Sequence, residues 1–461
     1  MPARMVTGYW VRRVVVILPP PPDQCTPPKR KHLSADALYA LLRLEFDKIA
    51  DHRGRECPIS LTDALMSAFS MFALKDPSLL AFDERRNDEN MEHLFGMARV
   101  PSDTHMREIL DPVAPQAIRP LFNAVFRQLQ RGKALEPFVF HQGCYLLSLD
   151  GTGYFSSSAI HCDSCLEKVH RQTQETTYQH QMLAAVMIHP DHREVIPFAP
   201  EPIVKQDGTR KNDCERNAAK RLLRQIRREH PHLKLIVVED GLASNAPHIR
   251  ELKSLNMHFI LGAKPGDHDF LWDQVIAAWD ADRVTTISGT EGDVYCELSF
   301  INDVPLNESN QDVRVNWLHY YEIGPDGEER TWTWVTDLNI SRQNARCLVK
   351  GGRCRWKIEN ETFNTLKNQG YHFEHNYGHG KKNLSVVFAM LMMLAFLVDQ
   401  VQQLCCPLFK AVRKKLKSKR ALWDNLRSHF RHFVFRSMRH LYEVILYDLA
   451  KQLPAPTRNT C

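Results

Sequence analysis

The sequence lacks the features that mark secreted, membrane-embedded or disulfide-stapled proteins. Twelve cysteines in 461 residues are too few for a disulfide framework, and they stand in dissimilar contexts. The longest apolar run, Val386 to Val398, is shorter than the roughly 20 residues that span a bilayer. Near the N-terminus, the apolar run from Val14 to Leu18 is too short for a signal peptide. We therefore expect a cytoplasmic protein with mostly reduced thiols and no membrane partner.

The sequence also has little excess of either charge. Lys and Arg number 60 and Asp and Glu number 54, which gives a net charge of +6. With 43% hydrophobic and 25% charged residues, the composition excludes disordered and collagen-like chains. A modest positive charge permits a nucleic-acid partner without requiring one. The length corresponds to two to four domains, at roughly 100 to 200 residues each.

Helical patterns at both ends enclose a part that alternates between strands and helices. Helix-capping residues predict helix starts at Ser60 and Ser102, and apolar runs from Tyr145 onward predict the order β-β-β-α-β-α-β. Strand patterns then continue from Arg283 to Val335. We expect a disordered leader (1–32), a helical domain (33–140), the first part of an α/β core (141–265), a β-rich insertion (266–345), the second part of the core (346–404) and a basic helical C-terminal region (405–461).

Two of the predicted strands end in an aspartate followed by a glycine, at Asp150 and at Asp240. A simple turn after a strand explains either one taken alone. Two such carboxylates at neighbouring strand ends would lie a few Å apart, where a cation or proton must separate them. Carboxylate oxygens with open positions favour magnesium or manganese. The pattern therefore predicts a divalent metal site.

A third carboxylate, Glu359, follows in a segment with a helical pattern. Arg355 precedes it by four residues, so the two side chains share one helix face. Taken alone, the pair would be an ordinary surface ion pair.

At these residues the chain resembles a DDE transposase of the bacterial insertion-sequence type, in the cut-and-paste group known as insertion sequence four. The resemblance runs from roughly residue 147 to residue 367. Arg355 and Glu359 match the Arg and Glu of the family's Tyr, Arg, Glu, Lys signature. The resemblance implies an α/β fold with a ribonuclease-H-like mixed sheet, flanking helices and a β-rich insertion. It also implies that Asp150, Asp240 and Glu359 are catalytic and bind Mg²⁺, with Mn²⁺ as a substitute.

The function that the resemblance implies is metal-dependent cleavage and transfer of DNA strands at the ends of an insertion sequence. Its partners would be double-stranded DNA at the transposon ends and at the target, bound by a homodimer on the bacterial nucleoid. The helical domain (33–140) is similar in position to the family's end-recognition region, which implies that it is a DNA-binding domain. Two other functions stay open at this point. One is a stand-alone metal nuclease on the same core, and the other is a DNA-binding protein that has lost catalysis.

The match to the signature has two departures. Gly352 stands where the tyrosine belongs, and the lysine is Lys367, one position later than the family spacing. In a regular helix, at about 100° per residue, seven positions return a side chain to within about 20° of the glutamate's face, whereas eight leave it about 80° away. Trp332 lies four residues before Thr336, as does a base-stacking tryptophan in the family. Packing in the insertion's own core is the alternative for Trp332.

Clustered cations predict where DNA binds. The strongest cluster has no acid within it and contains Lys414 and Lys415. A solvated helix face is the alternative interpretation. With Arg355, Lys357 and Lys367 of the signature segment, these residues are the predicted phosphate contacts. The whole cluster is Lys410, Arg413, Lys414, Lys415, Lys417, Lys419 and Arg420.

Two groups of metal-binding residue types give weaker signals. Cys162 and Cys165 have the spacing of a zinc knuckle, with His161 and His170 nearby, but no second Cys pair follows. The sequence leaves zinc binding there undecided. His372, His375 and His379 follow the third carboxylate in a glycine-rich loop, and we expect them to bond backbone groups or DNA phosphate.

Overall fold

The computed structural model describes residues 30–54, 57–205 and 213–452. The expected leader before residue 30 lies outside these ranges. Arg210 and Lys211, which the sequence predicts as a weaker basic cluster near the core, also lie outside them. The helices are α1 (Ala35–Phe46), α2 (Leu61–Leu74), α3 (Leu79–Asp83), α4 (Glu89–Phe95), α5 (Asp103–Leu110), α6 (Arg119–Arg131), α7 (Glu215–Glu229), α8 (Ala246–Ser254), α9 (Asp269–Asp280), α10 (Ala345–Arg353), α11 (Asn364–Asn368), α12 (Leu384–Cys405), α13 (Pro407–Leu416), α14 (Lys419–His432) and α15 (Met438–Tyr447).

The strands form one mixed sheet of 12 strands in the order β3-β4-β2-β7-β8-β12-β11-β10-β9, with β1 beside β2 and with β5 and β6 beside β4. The pairs β2–β7 and β7–β8 are parallel and the others are antiparallel. The strands are β1 (Val139–His141), β2 (Cys144–Ser157), β3 (Leu166–Val169), β4 (Thr176–Ile188), β5 (Ile196–Pro197), β6 (Glu201–Ile203), β7 (Leu235–Glu239), β8 (His258–Gly262), β9 (Thr285–Glu291), β10 (Val294–Pro305), β11 (Arg314–Ile323) and β12 (Glu329–Thr336).

The parallel strands occupy the middle of the sheet because their sequences suit burial on both faces. All five residues of β7 are buried, as expected for a strand covered by helices on both sides. The β-rich region expected from the sequence corresponds to the antiparallel strands β9 to β12. Its last strand pairs with β8, with Val335 opposite Leu261, so these strands continue the same sheet.

One prediction about the sheet is wrong. The sequence predicts that the first core strand ends at Asp150, but β2 continues through Gly151 to Ser157. The reason is long-range pairing: β2 leaves its parallel neighbour β7 after Ser148, whereas its antiparallel hairpin with β4 continues to Ser157. The pairing with β4 supplies hydrogen-bond partners for the backbone beyond Asp150, and this outweighs the tendency of Asp-Gly to form a turn.

The helices before and after the sheet share one core. Ser60 and Ser102 cap α2 and α5, as predicted, by accepting hydrogen bonds from Asp63 N and His105 N. Every residue of α2 is buried, not only the predicted apolar face, because helices from both ends of the chain cover it. Phe72 of α2, for example, packs edge-on against Phe388 of α12.

The longest apolar helix is α12, at the centre of this core. It is the one helix within the described ranges that is long and apolar enough to cross a membrane, and its apolar window is entirely buried. The expectation of a core helix is confirmed. Its N-terminus is held by Asp111 at the end of α5, whose carboxylate accepts hydrogen bonds from the backbone amides of Lys381, Lys382, Asn383 and Leu384 at 3.0 to 3.1 Å.

Candidate active site

The first acid, Asp150, lies on the part of β2 that has just left its parallel neighbour. Its Oδ1 accepts a hydrogen bond from Gly151 N at 2.9 Å, and its side chain is 27% exposed. Partial burial raises the pKa of Asp150 to about 6; Glu359 and Glu215 contribute to the increase and Arg355 opposes it. Asp150 therefore carries its negative charge in a place that needs a nearby cation.

The second acid, Asp240, lies directly after β7 and is exposed. Its Oδ1 accepts a hydrogen bond from Leu242 N at 3.0 Å and so caps the short helix Gly241–Ala243. In the parallel ladder, Ser148 of β2 pairs with Val238 of β7. Asp150 and Asp240 thus each lie two residues beyond the same pair. Both line one cleft of about 790 Å³.

The third acid, Glu359, lies in an irregular part of the helical segment that follows β12. A π-helical run, Ile358–Phe363, separates α10 from α11. Arg355 Nη2 lies 3.0 Å from Glu359 Oε1, and Arg355 Nη1 lies 3.6 Å from Asp150 Oδ2. The guanidinium therefore connects the first and third carboxylates. Single π-helical turns inside helices occur frequently at functional sites.

A fourth acid, Glu215, was not predicted. It is the first residue of α7, and a Cβ atom added at Gly151 would lie 2.1 Å from its Oε1. Burial raises the pKa of Glu215, and the charge of Asp240 adds to the increase. The carboxylate thus lies close to Gly151 of β2 and within electrostatic range of Asp240. Its sequence position shows only an acid in the first turn of a helix, which is favourable for any helix.

The four carboxylates are suitable ligands for divalent cations. Their hard oxygen donors match the preference of Mg²⁺ and Mn²⁺. Burial is the main cause of the raised pKa values of Asp150 and Glu215, and neighbouring carboxylates add to both increases. Within the described part of the chain, these acids do not form a group of three whose ligand atoms all lie within 4.8 Å of one another.

The structure explains why Gly352 stands where the signature has tyrosine. A Cβ atom at Gly352 would lie 2.4 Å from Cε2 of Trp334, whose indole ring is buried against this part of α10. A tyrosine side chain has no room there.

The displaced lysine is consistent with the helix geometry. A π-helical turn takes in one residue more than an α-helical turn. Eight residues counted from Glu359 across the π-helical run Ile358–Phe363 therefore turn the chain through about the same angle as seven residues of a regular helix. The family spacing of seven residues applies to a regular helix. Leu366 is fully buried, whereas the side chain of Lys367 is 29% exposed and forms an ion pair with Glu374 at 2.8 Å.

The other predicted DNA-binding residues have different surroundings. The ammonium group of Lys357 donates to the carbonyl oxygens of Pro190 and His192. Lys415 donates to the carbonyl oxygens of Ile445 and Leu446 at the end of α15.

Lys414 is exposed, and Trp332 is half-buried. The guanidinium of Arg353 lies over the indole ring of Trp332, 4.2 Å from its centroid, and Tyr320 packs beside it. The contact with Tyr320 is packing within the β-rich region, which is the alternative interpretation of Trp332.

A cationic cleft lies beside the third acid. Arg193, Arg413 and Lys419 line a cleft of about 730 Å³ together with Glu361, two residues after Glu359. Burial lowers the pKa of Lys419, and the charges of Arg413 and Arg193 add to the decrease while Glu361 opposes it. Three like charges are thus held close together. Arg193 was not predicted, because the turn that carries it is distant from the basic cluster in sequence.

The Cys-X-X-Cys pair has partners other than those expected. His161 packs on Tyr178 and His170 bonds Thr177. The ring nitrogens that approach the two thiols belong to His180 and His379. The expectation that His379 bonds backbone or phosphate is therefore wrong for that histidine, because the loop after α11 folds back onto the β2–β4 hairpin.

Comparison with known protein families gives a match that covers most of the sheet and the helical segment after it as far as α12. A family profile described as "Transposase DDE domain" matches residues 156–397, slightly more than half of the chain. The matched region contains Asp240 and Glu359 and begins six residues after Asp150. No curated protein is significantly similar to the chain. The resemblance noted from the sequence is confirmed at the level of this family.

Proposed function

The chain belongs to the transposase DDE domain family, and from this premise we propose that it cuts and joins DNA strands at the ends of an insertion sequence by cut-and-paste transposition. One observation carries the proposal more than any other. Asp150 and Asp240 lie two residues beyond the same strand pair, and Arg355 connects Asp150 to Glu359. Three separate parts of the chain thus contribute acids beside the carboxyl ends of the paired segments of β2 and β7.

We propose Asp150, Asp240 and Glu359 as the catalytic acids on a ribonuclease-H-like core. Two parallel strands, β2 and β7, carry the first two acids from the middle of the mixed sheet, and helices cover both of its faces. A rigid, fully buried strand places a carboxylate more precisely than a loop does. Strand burial and register support this assignment.

The metal ligands would be the same three carboxylates, with Mg²⁺ as the natural ion and Mn²⁺ as a substitute. When bound, two such ions activate a water or a 3′-hydroxyl group and stabilise the leaving oxygen of an in-line phosphodiester displacement. Arg355 balances the charge of Asp150 and Glu359 and orients both side chains by its fixed fork of donors. Glu215 adds negative charge beside Asp150 and Asp240.

We propose that DNA approaches this site across the cationic cleft. The cleft brings three cations next to Glu361, namely Arg193, Arg413 and Lys419. Glu361 lies on the same helical segment as Glu359. Lys367 extends this surface, and its ion pair with Glu374 is partly exposed and so open to exchange with a phosphate. Lys414 is exposed for a phosphate contact. Lys415 would first have to leave its carbonyl partners and its ion pair with Asp448.

Trp332 and Lys357 take secondary places in the proposal. Stacking of a base on Trp332 would replace the guanidinium of Arg353 on its ring face. Lys357 holds the turn at Pro190 and His192, which precedes Arg193, so it supports the cleft as well as being a predicted phosphate contact. We assign end recognition to the N-terminal helices and pairing of the two ends to a homodimer.

The decisive experiment is an end-cleavage assay with DNA that flanks the coding region. We expect Mg²⁺-dependent cleavage at a fixed position, followed by joined products. Asp150→Asn, Asp240→Asn and Glu359→Gln should each abolish cleavage, whereas Asp280→Asn, at an exposed position at the end of α9, should not.

The outcomes separate the alternatives. Cleavage without joining would indicate a stand-alone nuclease. Specific end binding without cleavage in Mg²⁺ or Mn²⁺ would overturn the enzymatic proposal and leave a DNA-binding protein. Cleavage that survives Glu359→Gln would move the third ligand to Glu361.

A further inference from the structure

Four side chains that play no part in the carboxylate site converge at the far end of the β2–β4 hairpin. Cys162 and Cys165 lie in the turn before β3, His180 lies on β4, and His379 lies in the loop between α11 and α12. All four potential ligand atoms lie within 4.8 Å of one another. Cys165, His180 and His379 are buried and Cys162 is partly exposed.

The distances are those of a tetrahedron around a zinc ion. With Zn–S near 2.3 Å and Zn–N near 2.0 Å, tetrahedral geometry requires about 3.8 Å between two sulfurs and about 3.5 Å between sulfur and nitrogen. The two sulfurs are 3.8 Å apart. His180 Nε2 lies 3.5 Å from Cys162 Sγ and 3.4 Å from Cys165 Sγ, and His379 Nε2 lies 3.4 Å from Cys165 Sγ. Four measured edges thus agree with one four-ligand site.

A disulfide does not account for the pair. The sulfur–sulfur distance of 3.8 Å is far longer than the roughly 2.05 Å of a disulfide bond. Both histidines also turn the same ring nitrogen, Nε2, toward the sulfurs, although they come from parts of the chain about 200 residues apart. A shared ligand explains this convergence.

The backbone around the cluster holds the ligands in place. Cys165 N donates to Cys162 O at 3.1 Å, and Cys162 N donates to Cys165 Sγ at 3.4 Å, so the turn directs both sulfurs to one side. His379 lies between Gly378 and Gly380, which have φ values of +145° and +70°. A Cβ atom at Gly380 would lie 2.3 Å from Asp111 Oδ1, the carboxylate that also caps α12. The loop can therefore pass close to Asp111 only with glycine there.

We propose that Cys162, Cys165, His180 and His379 bind one structural Zn²⁺. Binding releases the two thiol protons, and two thiolates with two neutral imidazoles leave the site with no net charge, which suits its burial. Four protein ligands fill a tetrahedral zinc site, so no position is open for chemistry. The soft sulfur and nitrogen donors also distinguish this site from the carboxylates, which favour Mg²⁺.

The consequence of the site is a cross-link between the two parts of the chain that carry the first and third acids. The β2–β4 hairpin bears Asp150, and the loop with His379 follows the segment that bears Glu359. A metal that joins the hairpin to the loop would limit their relative motion. The proposal is independent of the catalytic function, since it depends only on these four ligands.

The test is the metal content of the full-length protein, purified without chelator from zinc-supplemented medium. We expect about one zinc per chain by mass spectrometry of the metals. Replacement by Co²⁺ should give the visible bands of a tetrahedral site together with a thiolate-to-cobalt charge-transfer band. Wild-type protein with no bound zinc, or with a cobalt spectrum that lacks the thiolate band, would overturn the proposal.

The variants separate the ligands from their neighbours. Cys162→Ser and His379→Ala should lose the bound zinc, whereas His161→Ala and His375→Ala, which replace exposed histidines beside the site, should keep it. Zinc retained at the wild-type level in Cys162→Ser would contradict the assignment.

Replacing a buried ligand could also prevent folding. The wild-type protein gives a second readout in that case: a mercurial reagent that modifies its thiols should release about one zinc per chain, measured with a metal-sensitive dye. No release on complete thiol modification would likewise overturn the proposal. None of these readouts depends on DNA cleavage, so this proposal and the proposed function fail separately.

Discussion

Arg355 Nη2 lies 3.0 Å from Glu359 Oε1, and this ion pair lies within one helical turn beside the strand that carries Asp150. The side chain of Arg355 is only 16% exposed, so the pair is not an ordinary solvated contact. Its Nη1 lies 3.6 Å from Asp150, which makes the guanidinium the positive charge shared by both acids. Removing it would leave two carboxylates facing each other without compensation.

We therefore predict that Arg355→Gln slows DNA end cleavage about a hundredfold, which is typical for loss of one charged group at a phosphoryl-transfer site. Arg355→Lys should lose less, because it keeps the charge but not the two-pronged geometry. Single-turnover cleavage in Mg²⁺ measures both. Arg342→Gln, at an exposed position before α10, is the matched control. A rate for Arg355→Gln within about twofold of the control would show that the ion pair is only structural.

Glu215 should alter the dependence on metal rather than abolish cleavage. We predict that Glu215→Gln raises the Mg²⁺ concentration for half-maximal cleavage about tenfold, as is typical for a group beside the ligands. Gly151→Ala should have a similar effect, because its Cβ would lie 2.1 Å from Glu215 Oε1 and displace the carboxylate. Glu89→Gln changes another exposed first-turn acid, at the start of α4, and is the control. An unchanged Mg²⁺ titration would place Glu215 outside the site.

These residues show which parts of the site were accessible from the sequence. Asp240 and Glu359 stand out because an acid at a strand end and an Arg–Glu spacing of four are local patterns, and the resemblance they support is confirmed by the family match. The sequence also predicts Asp150 as a site residue, but it makes the strand of Asp150 too short, since the hairpin with β4 depends on residues about 30 positions away.

Other residues had no local signal at all. Glu215 becomes part of the site only because α7 returns to the side of β2, and its own position looks like any first-turn acid. His379 meets Cys165 across 214 positions of sequence. His161 and His170 are nearer to the cysteines in sequence, but β4 places His180 at the two sulfurs. Contacts between residues distant in sequence place each of these side chains where it lies in the structure.

Gly352 should tolerate no side chain. In a helix, alanine is favoured over glycine by about 1 kcal/mol, so a loss of stability on Gly352→Ala would report the contact with Trp334. The new Cβ would lie 2.4 Å from the indole ring, and we predict a net loss of about 1–3 kcal/mol in the free energy of unfolding. Urea unfolding measures it.

A matched glycine and a second substitution check this explanation. Gly54→Ala adds a Cβ where nothing lies within 4 Å and should be close to neutral. Trp334→Leu in the Gly352→Ala background should recover part of the loss if the ring is the obstacle. Equal stability of Gly352→Ala and the wild type would contradict the steric explanation for the missing tyrosine.

The cationic cleft should determine the salt dependence of DNA binding. Each side chain that no longer neutralises a phosphate reduces the slope of log K against log salt by about 0.9. We predict that Arg193→Ala, Arg413→Ala and Lys419→Ala each weaken binding on any sequence and reduce that slope by about this amount. Fluorescence anisotropy at several salt concentrations measures this slope.

Arg283→Ala, at an exposed position before β9 and away from the cleft, should leave the slope unchanged. Slopes equal to wild type for all three would move the DNA path elsewhere.

His230 should make the protein sensitive to mild acid. Its ring packs against Phe126 and Phe198, with centroid distances of 4.4 Å and 5.3 Å, and burial lowers its pKa to about 4. An unfolded histidine has a pKa near 6.5, so the unfolded chain binds the proton more tightly. The stabilisation from neutral His230 is therefore complete above about pH 6.5 and is lost as the pH falls toward 4, by at most about 3 kcal/mol.

We predict that His230→Gln loses this part of the pH dependence, measured by urea unfolding at several pH values in that window. His232→Gln, at an exposed position two residues later, should keep the wild-type dependence. The same slope in His230→Gln and the wild type would show that other groups cause the acid sensitivity.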